Sequence, residues 1–188
     1  LPVGKWLTCL VDATYNGIMT LAPSLKPSLQ KMRSKAIPEL GNVRQATWRS
    51  MSAALGALEY PTMLVEATAR FKTSLGGPML SLVTAPHAVL IVGLHVRIDG
   101  EASEHCIMLS TLPEPHAPFG KMIDNHGEMK PVYLVANDRA SKPAAARAFR
   151  TLVMQNPATK GCRTCCVDVS DVYELVCPGA PIAVTPVQ

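Results

Sequence analysis

Ala88-Val89-Leu90-Ile91-Val92-Gly93-Leu94-His95-Val96-Arg97-Ile98-Asp99-Gly100 is the stretch that decides the fold. Its first seven residues carry no polar side chain, so a strand over Ala88–Ile98 begins with no face left for water. Asp99-Gly100 has the composition of a hairpin turn, and His105 to Thr111 returns as a second strand. Upstream, Gly76-Gly77-Pro78 is a strong turn signal; Met79–Val83 then reads as a short apolar strand and Thr84-Ala85-Pro86 as a loop. Downstream come a proline-rich loop over 113–118 and strands over Lys121–Asp124 and Val132–Ala136. A basic helix over Pro143–Met154 and a strand over Cys166–Cys177 follow.

The first 75 residues have a different texture. Leu10, Ala13, Thr14, Gly17, Ile18 and Leu21 recur at helical spacing, with Thr8 as the expected N-cap and Pro23 as the stop. A second helix is expected over Ser28–Ala36, between Pro27 and Pro38. Val43, Ala46, Thr47, Ser50, Met51, Ala54, Leu55 and Leu58 form the stripe of a third, and Thr62–Leu75 is expected to form a fourth. The reading is α+β: a helical lobe over 1–75 packed on a largely antiparallel β lobe over 76–188, together one functional domain.

Composition narrows the function classes. The chain has 188 residues, 48% hydrophobic and 17% charged, which excludes a disordered chain. No apolar run approaches the ~20 residues of a membrane span. The net charge of +4 is mild, and only 5% of residues are aromatic, so the chain offers little for stacking on bases. The basic residues Lys26, Lys31, Arg33 and Lys35, and Arg139, Lys142, Arg147 and Arg150, read as solvated helix faces. The first residue is Leu1 rather than Met, and Leu1–Trp6 has no secretory pattern, so a segment of a longer intracellular chain is expected. Six cysteines, four of them near the C-terminus, read as reduced thiols in that setting.

Three residues stand out chemically. Cys9 falls in the first turn of the first expected helix, where free N–H groups and the helix dipole favour a thiolate. Asp12 would partly oppose that effect. His87 opens the long apolar strand, a place where it can face a cleft between lobes. Asp124 ends an apolar strand and can orient an imidazole through its second nitrogen.

Taken in order, these segments resemble the papain-like cysteine proteases, and most closely the shorter viral leader and bacterial effector types. Trp6-Leu7-Thr8-Cys9-Leu10-Val11-Asp12-Ala13 is similar to the nucleophile segment. Gly76-Gly77-Pro78-Met79-Leu80, then Pro86-His87-Ala88-Val89-Leu90-Ile91-Val92-Gly93, is similar to the histidine strand, and Ile123-Asp124 to the acid-bearing strand. The resemblance covers about residues 5 to 135. It implies a papain-like fold and a cysteine endopeptidase with a Cys9–His87–Asp124 triad. No cofactor or metal would be needed. The substrate would be a protein or peptide, including the chain's own viral polyprotein, cut near Gln188 after the uncharged, proline-rich tail. A host-cytoplasmic location follows for a viral or effector protein. The chain departs from the pattern at Val3 and Gly4, where the family carries a Gln or Asn as oxyanion donor. It departs again in the long interval from His87 to Asp124, where Asn125 and Asp99 are the other candidate orienting residues. The rival expectations are a deubiquitinase-like thiol hydrolase of the same fold and a non-catalytic or zinc-binding interaction module. The zinc reading rests on Cys162, Cys165, Cys166 and Cys177, with His105 or His126 as a further ligand.

Overall fold

The structure is a computed structural model that describes residues 8–37, 46–73, 77–112, 121–124, 132–133, 141–154 and 162–178. Several expectations lie outside the described residues: Leu1–Leu7, the start of the third helix before Ala46, the loop 113–118, Asn125, His126, Arg139 and the tail 179–188.

The elements in chain order are α1 (Cys9–Leu21), α2 (Leu29–Ala36), α3 (Trp48–Ala57), β1 (Met63–Glu66), α4 (Thr68–Lys72) and α5 (Pro78–Val83). They continue with β2 (Val89–Ile98), β3 (Glu101–Ser110), β4 (Lys121–Asp124), β5 (Val132–Tyr133), α6 (Lys142–Met154) and β6 (Cys165–Val176). The protein is α+β, with helices dominating the N-terminal part and an antiparallel sheet the C-terminal part. The sheet order is β1-β6-β2-β3-β4-β5, every neighbouring pair antiparallel. Among the described residues no helix is long and apolar enough to cross a membrane.

β2 explains the opening stretch of sequence. Val89 and Ile91 face a core built with α1, α2 and α3; Leu90, Val92, Leu94, Val96 and Ile98 face a second core with α4, α5 and α6. With helices on both faces, the strand is apolar throughout its first half. Past Leu94 the cover on the first face ends. There His95 and Arg97 are exposed, while Val96 and Ile98 stay buried. The Asp99-Gly100 turn forms as expected, with φ of 48° and 91°, the left-handed pair that a two-residue hairpin needs.

Two expectations are corrected. Met79–Val83 is not a strand but helix α5. Gly77, at φ 87°, stands at its N-cap and Pro78 at its first position, a start that suits a helix. A short apolar run does not itself distinguish strand from helix. Thr62–Leu75 is not one helix: within its described part, Met63–Glu66 is drawn into the sheet by pairing with Val176 to Tyr173, and only Thr68–Lys72 is helical. Ala67 N–H donates to Val172 O at 2.8 Å, and Val172 N–H donates to Thr68 Oγ1 at 3.0 Å, fixing α4 to β6.

α2 and α3 follow their sequence signals. Ser28 caps α2 by accepting from Lys31 N–H, and Thr47 and Ser50 cap α3 reciprocally. Trp48 then stacks on Tyr173 of β6, ring centroids 4.0 Å apart, tying α3 to the sheet.

Candidate functional site

α1 lies across β2 and β3 with its first turn at Cys106 and its later turns toward the start of β2. Gly17 permits the approach. A Cβ there would lie 2.9 Å from Leu175 Cδ2 and 3.1 Å from Ile91 Cδ1, so the helix seats almost directly on the sheet.

Cys9 is the first residue of α1 and 6% exposed. Its sulfur accepts a hydrogen bond from the Cys106 thiol, another from the His105 ring and a third from the Cys106 backbone N–H. These donors, the Cys106 thiol first, bring the Cys9 thiol down to about 5. Burial opposes them, and the charge of an imidazolium at His105 adds to them. Cys106 moves the opposite way. Its donation to Cys9, its burial and the charges of Cys9, Asp171 and Glu104 hold it well above the ordinary thiol range. The two directions favour a thiolate at Cys9 over one at Cys106.

His105 and Cys106 are consecutive on β3 and by strand alternation project to opposite faces. Both interact with Cys9. The described pairing of β3 with β4 ends at Ile107 opposite Asp124, immediately before these residues. Gly93 is the partner of Cys106 on β2, and Asp171 is the partner of Gly93 on β6. Lacking a side chain, Gly93 lets β6 side chains close over it; a Cβ would meet Ser170 Oγ at 2.8 Å and Asp171 Oδ2 at 3.4 Å.

Asp12 does not act as a naked negative charge near Cys9. Arg33 Nε donates to its Oδ1 at 2.9 Å and Arg33 Nη2 to its Oδ2 at 2.8 Å, while Thr8 Oγ1 donates to Oδ2 at 3.0 Å. Thr8 occupies the N-cap position of α1 but spends its hydroxyl on Asp12, so it does not cap the helix amides.

Of the three residues expected to form the triad, the structure does not bring His87 to Cys9. His87 is exposed in the turn before β2, with φ 44°. Val89 pairs with Ser110, whereas the Cys9 contact is at Cys106. His87 therefore lies about six residues along β3 from that contact, ~20 Å at strand rise. The seating of Gly17 near Val89 gives the same result, since it puts the later turns of α1, not Cys9, at the His87 end. Asp124 is close in register: it ends β4 opposite Ile107, two residues from His105. Asp99 is taken by the fold. Its Oδ1 accepts from Arg163 N–H at 3.0 Å, Thr164 N–H at 2.8 Å and Thr164 Oγ1 at 3.1 Å, which clasps the hairpin to the start of β6 and lowers its carboxyl. The imidazole beside Cys9 is His105, read from sequence only as a strand residue and a zinc ligand. Nothing in local pattern links it to Cys9, because only the docking of α1 on β3 does so.

Among the described residues no group of three or more His, Cys, Asp or Glu is arranged to hold a metal ion. Cys165 packs toward the α6 core, Cys166 is exposed opposite Arg97, and the Cys162 thiol donates to Asp99. The zinc reading of this cluster is therefore not carried by the geometry. The basic residues Lys26, Lys31, Lys35, Arg147 and Arg150 are exposed, as on solvated helix faces.

Comparison of the chain with protein-family models, curated proteins and solved structures gives no match.

Proposed function

We propose that the chain is a cysteine-dependent hydrolase of peptide or related acyl bonds, with Cys9 as nucleophile and His105 as its acid–base partner. The observation that carries this reading is the Cys9 thiol lowered to about 5 at the first residue of α1, in hydrogen-bonding contact with His105. In the reaction the Cys9 thiolate uses its electron pair to bond the carbonyl carbon, and the π pair of the C=O bond moves onto the oxygen; the pair returns as the C–N bond breaks and the thioester forms. Helix-terminal N–H groups left uncapped by Thr8 are suited to receive that oxyanion. His105 gives its proton to the leaving amine, then takes one from water as the water attacks the thioester and frees Cys9. Asp124, near in register, is the candidate to orient His105.

Endopeptidase action on a protein or peptide, including the chain's own precursor, remains the proposed substrate class. A deubiquitinase-like hydrolase would use the same groups. A thiolate nucleophile needs a reducing setting, and an intracellular location is part of this proposal.

A peptidyl electrophile that traps catalytic cysteines tests the reading. It should label Cys9 in the native chain, lose most labelling in His105→Ala, and keep it in His87→Ala. Labelling that depends on His87 and not on His105 would reject this assignment of the base. Equal labelling of all six cysteines would reject the enzyme.

A further inference from the structure

We propose that Cys9 and Cys106 form a redox couple that a hydroperoxide closes into a disulfide. Two cysteines from separate elements, one heading α1 and one on β3, have their sulfurs in hydrogen-bonding contact. Neither is in a disulfide in this structure. An S–S bond of about 2.0 Å requires these sulfurs to come closer than hydrogen-bonding contact. The pair is also chemically unequal. The Cys9 thiolate is the form that attacks peroxide, and the Cys106 thiol retains the proton that the second step must release.

The steps balance. The Cys9 thiolate attacks one oxygen of the hydroperoxide, the O–O bond breaks, and the other oxygen leaves as water or an alcohol after taking a proton. Cys9 is then a sulfenic acid, oxidised by two electrons. The Cys106 sulfur attacks the Cys9 sulfur, hydroxide leaves, and the Cys106 proton converts it to water. The products are one disulfide, one water and the reduced peroxide. A small peroxide needs less opening around the 6%-exposed Cys9 than a peptide does. Cys106, the second sulfur of the couple, is half-buried. Cys162 and Cys165 have raised thiols, Cys162 through desolvation and the charge of Asp99, Cys165 through desolvation that outweighs the charge of Arg150. The couple requires no hydrolytic activity; if Cys9 is also the hydrolytic nucleophile, closing the disulfide switches it off reversibly.

The experiment uses the full chain, treated with a small excess of hydrogen peroxide at neutral pH, digested without reduction and mapped by mass spectrometry. The expected product joins the Cys9 and Cys106 peptides with loss of two hydrogen atoms, and dithiothreitol separates them. In Cys106→Ala, dimedone should trap Cys9 as a sulfenic acid that the wild type does not accumulate. The proposal is overturned if the wild type accumulates dimedone-trapped Cys9 without the joined peptide. It is equally overturned if Cys9 stays unoxidised while exposed Cys166 reacts. The wild-type map decides even if Cys106→Ala does not fold, and it reads disulfide formation whether or not the chain hydrolyses anything.

Discussion

In the proposed hydrolase Cys9 is the nucleophile because of two contacts and one position, and each contact can be removed separately. Its low value rests first on the Cys106 thiol and then on His105. Alkylation by iodoacetamide follows the thiolate fraction, so the Cys9 rate should rise with pH around a midpoint near 5 and be flat by neutral pH. Removing a donor to a thiolate raises its pKa, so the midpoint should move upward in both Cys106→Ala and His105→Ala, and further in the former. A wild-type midpoint in the ordinary thiol range of about 8.5 would refute the lowering of the Cys9 thiol by these donors. The place of Cys9 at the start of α1 was legible in the sequence because a helix start can be read from local pattern. His105 was not, because its partner lies on an element distant in sequence. His87 matched the order of a known pattern, and order alone does not fix which end of a strand meets a helix.

The elements hold this site through contacts that differ sharply in consequence. Gly17→Ala would put a Cβ 2.9 Å from Leu175 Cδ2 and 3.1 Å from Ile91 Cδ1, pressing α1 off the sheet. The obstructing atoms are side-chain ends that can yield, so we expect a loss of about 1–2 kcal/mol in urea unfolding, at the lower end of overpacking costs. Gly56, exposed near the end of α3, has nothing within 4 Å of its added Cβ; Gly56→Ala should stabilise by roughly 0.5 kcal/mol through helix propensity alone. The same substitution thus has opposite signs in two helices, and equal effects would contradict the seating of α1. Arg33→Ala leaves the Asp12 carboxylate, 5% exposed, with only the Thr8 hydroxyl. Because Arg33 is itself 43% exposed, we expect about 2 kcal/mol rather than the full cost of a buried pair. Thermal unfolding of Arg33→Ala beside Asp12→Asn/Arg33→Ala checks it, since the double variant should recover part of the loss. Gly17 was legible as part of a small-residue face. The Asp12–Arg33 fork was not, for its partners lie on different helices.

At the scale of the whole molecule, β6 decides whether the helical lobe read from sequence could stand by itself. The texture change at Gly76-Gly77-Pro78 is real in composition, yet packing runs across it. β1 pairs with β6 from the other end of the described chain, and α4 is anchored to Val172. The core of α1, α2 and α3 is completed by Val89, Ile91, Met108 and Leu175, all from strands after residue 76. Val172 of the same β6 faces the opposite core, so one strand serves both. Composition could not reveal this, because each half has its own proper periodicity and the closure between them is non-local. A fragment of residues 1–75 would expose the apolar sides of Val11, Ile18, Met51 and Leu55 with no sheet beneath them. Isolated helices of 8 to 13 residues, such as α1, α2 and α3, are marginal in water without such burial. We therefore expect the fragment to show weak helical circular dichroism and no slowly exchanging amides, while the full chain unfolds in one transition that carries Trp48 fluorescence and amide protection together. A fragment that keeps protected amides in α1 would mean that the helices form a self-sufficient unit, and that the sheet is not what positions Cys9 against His105.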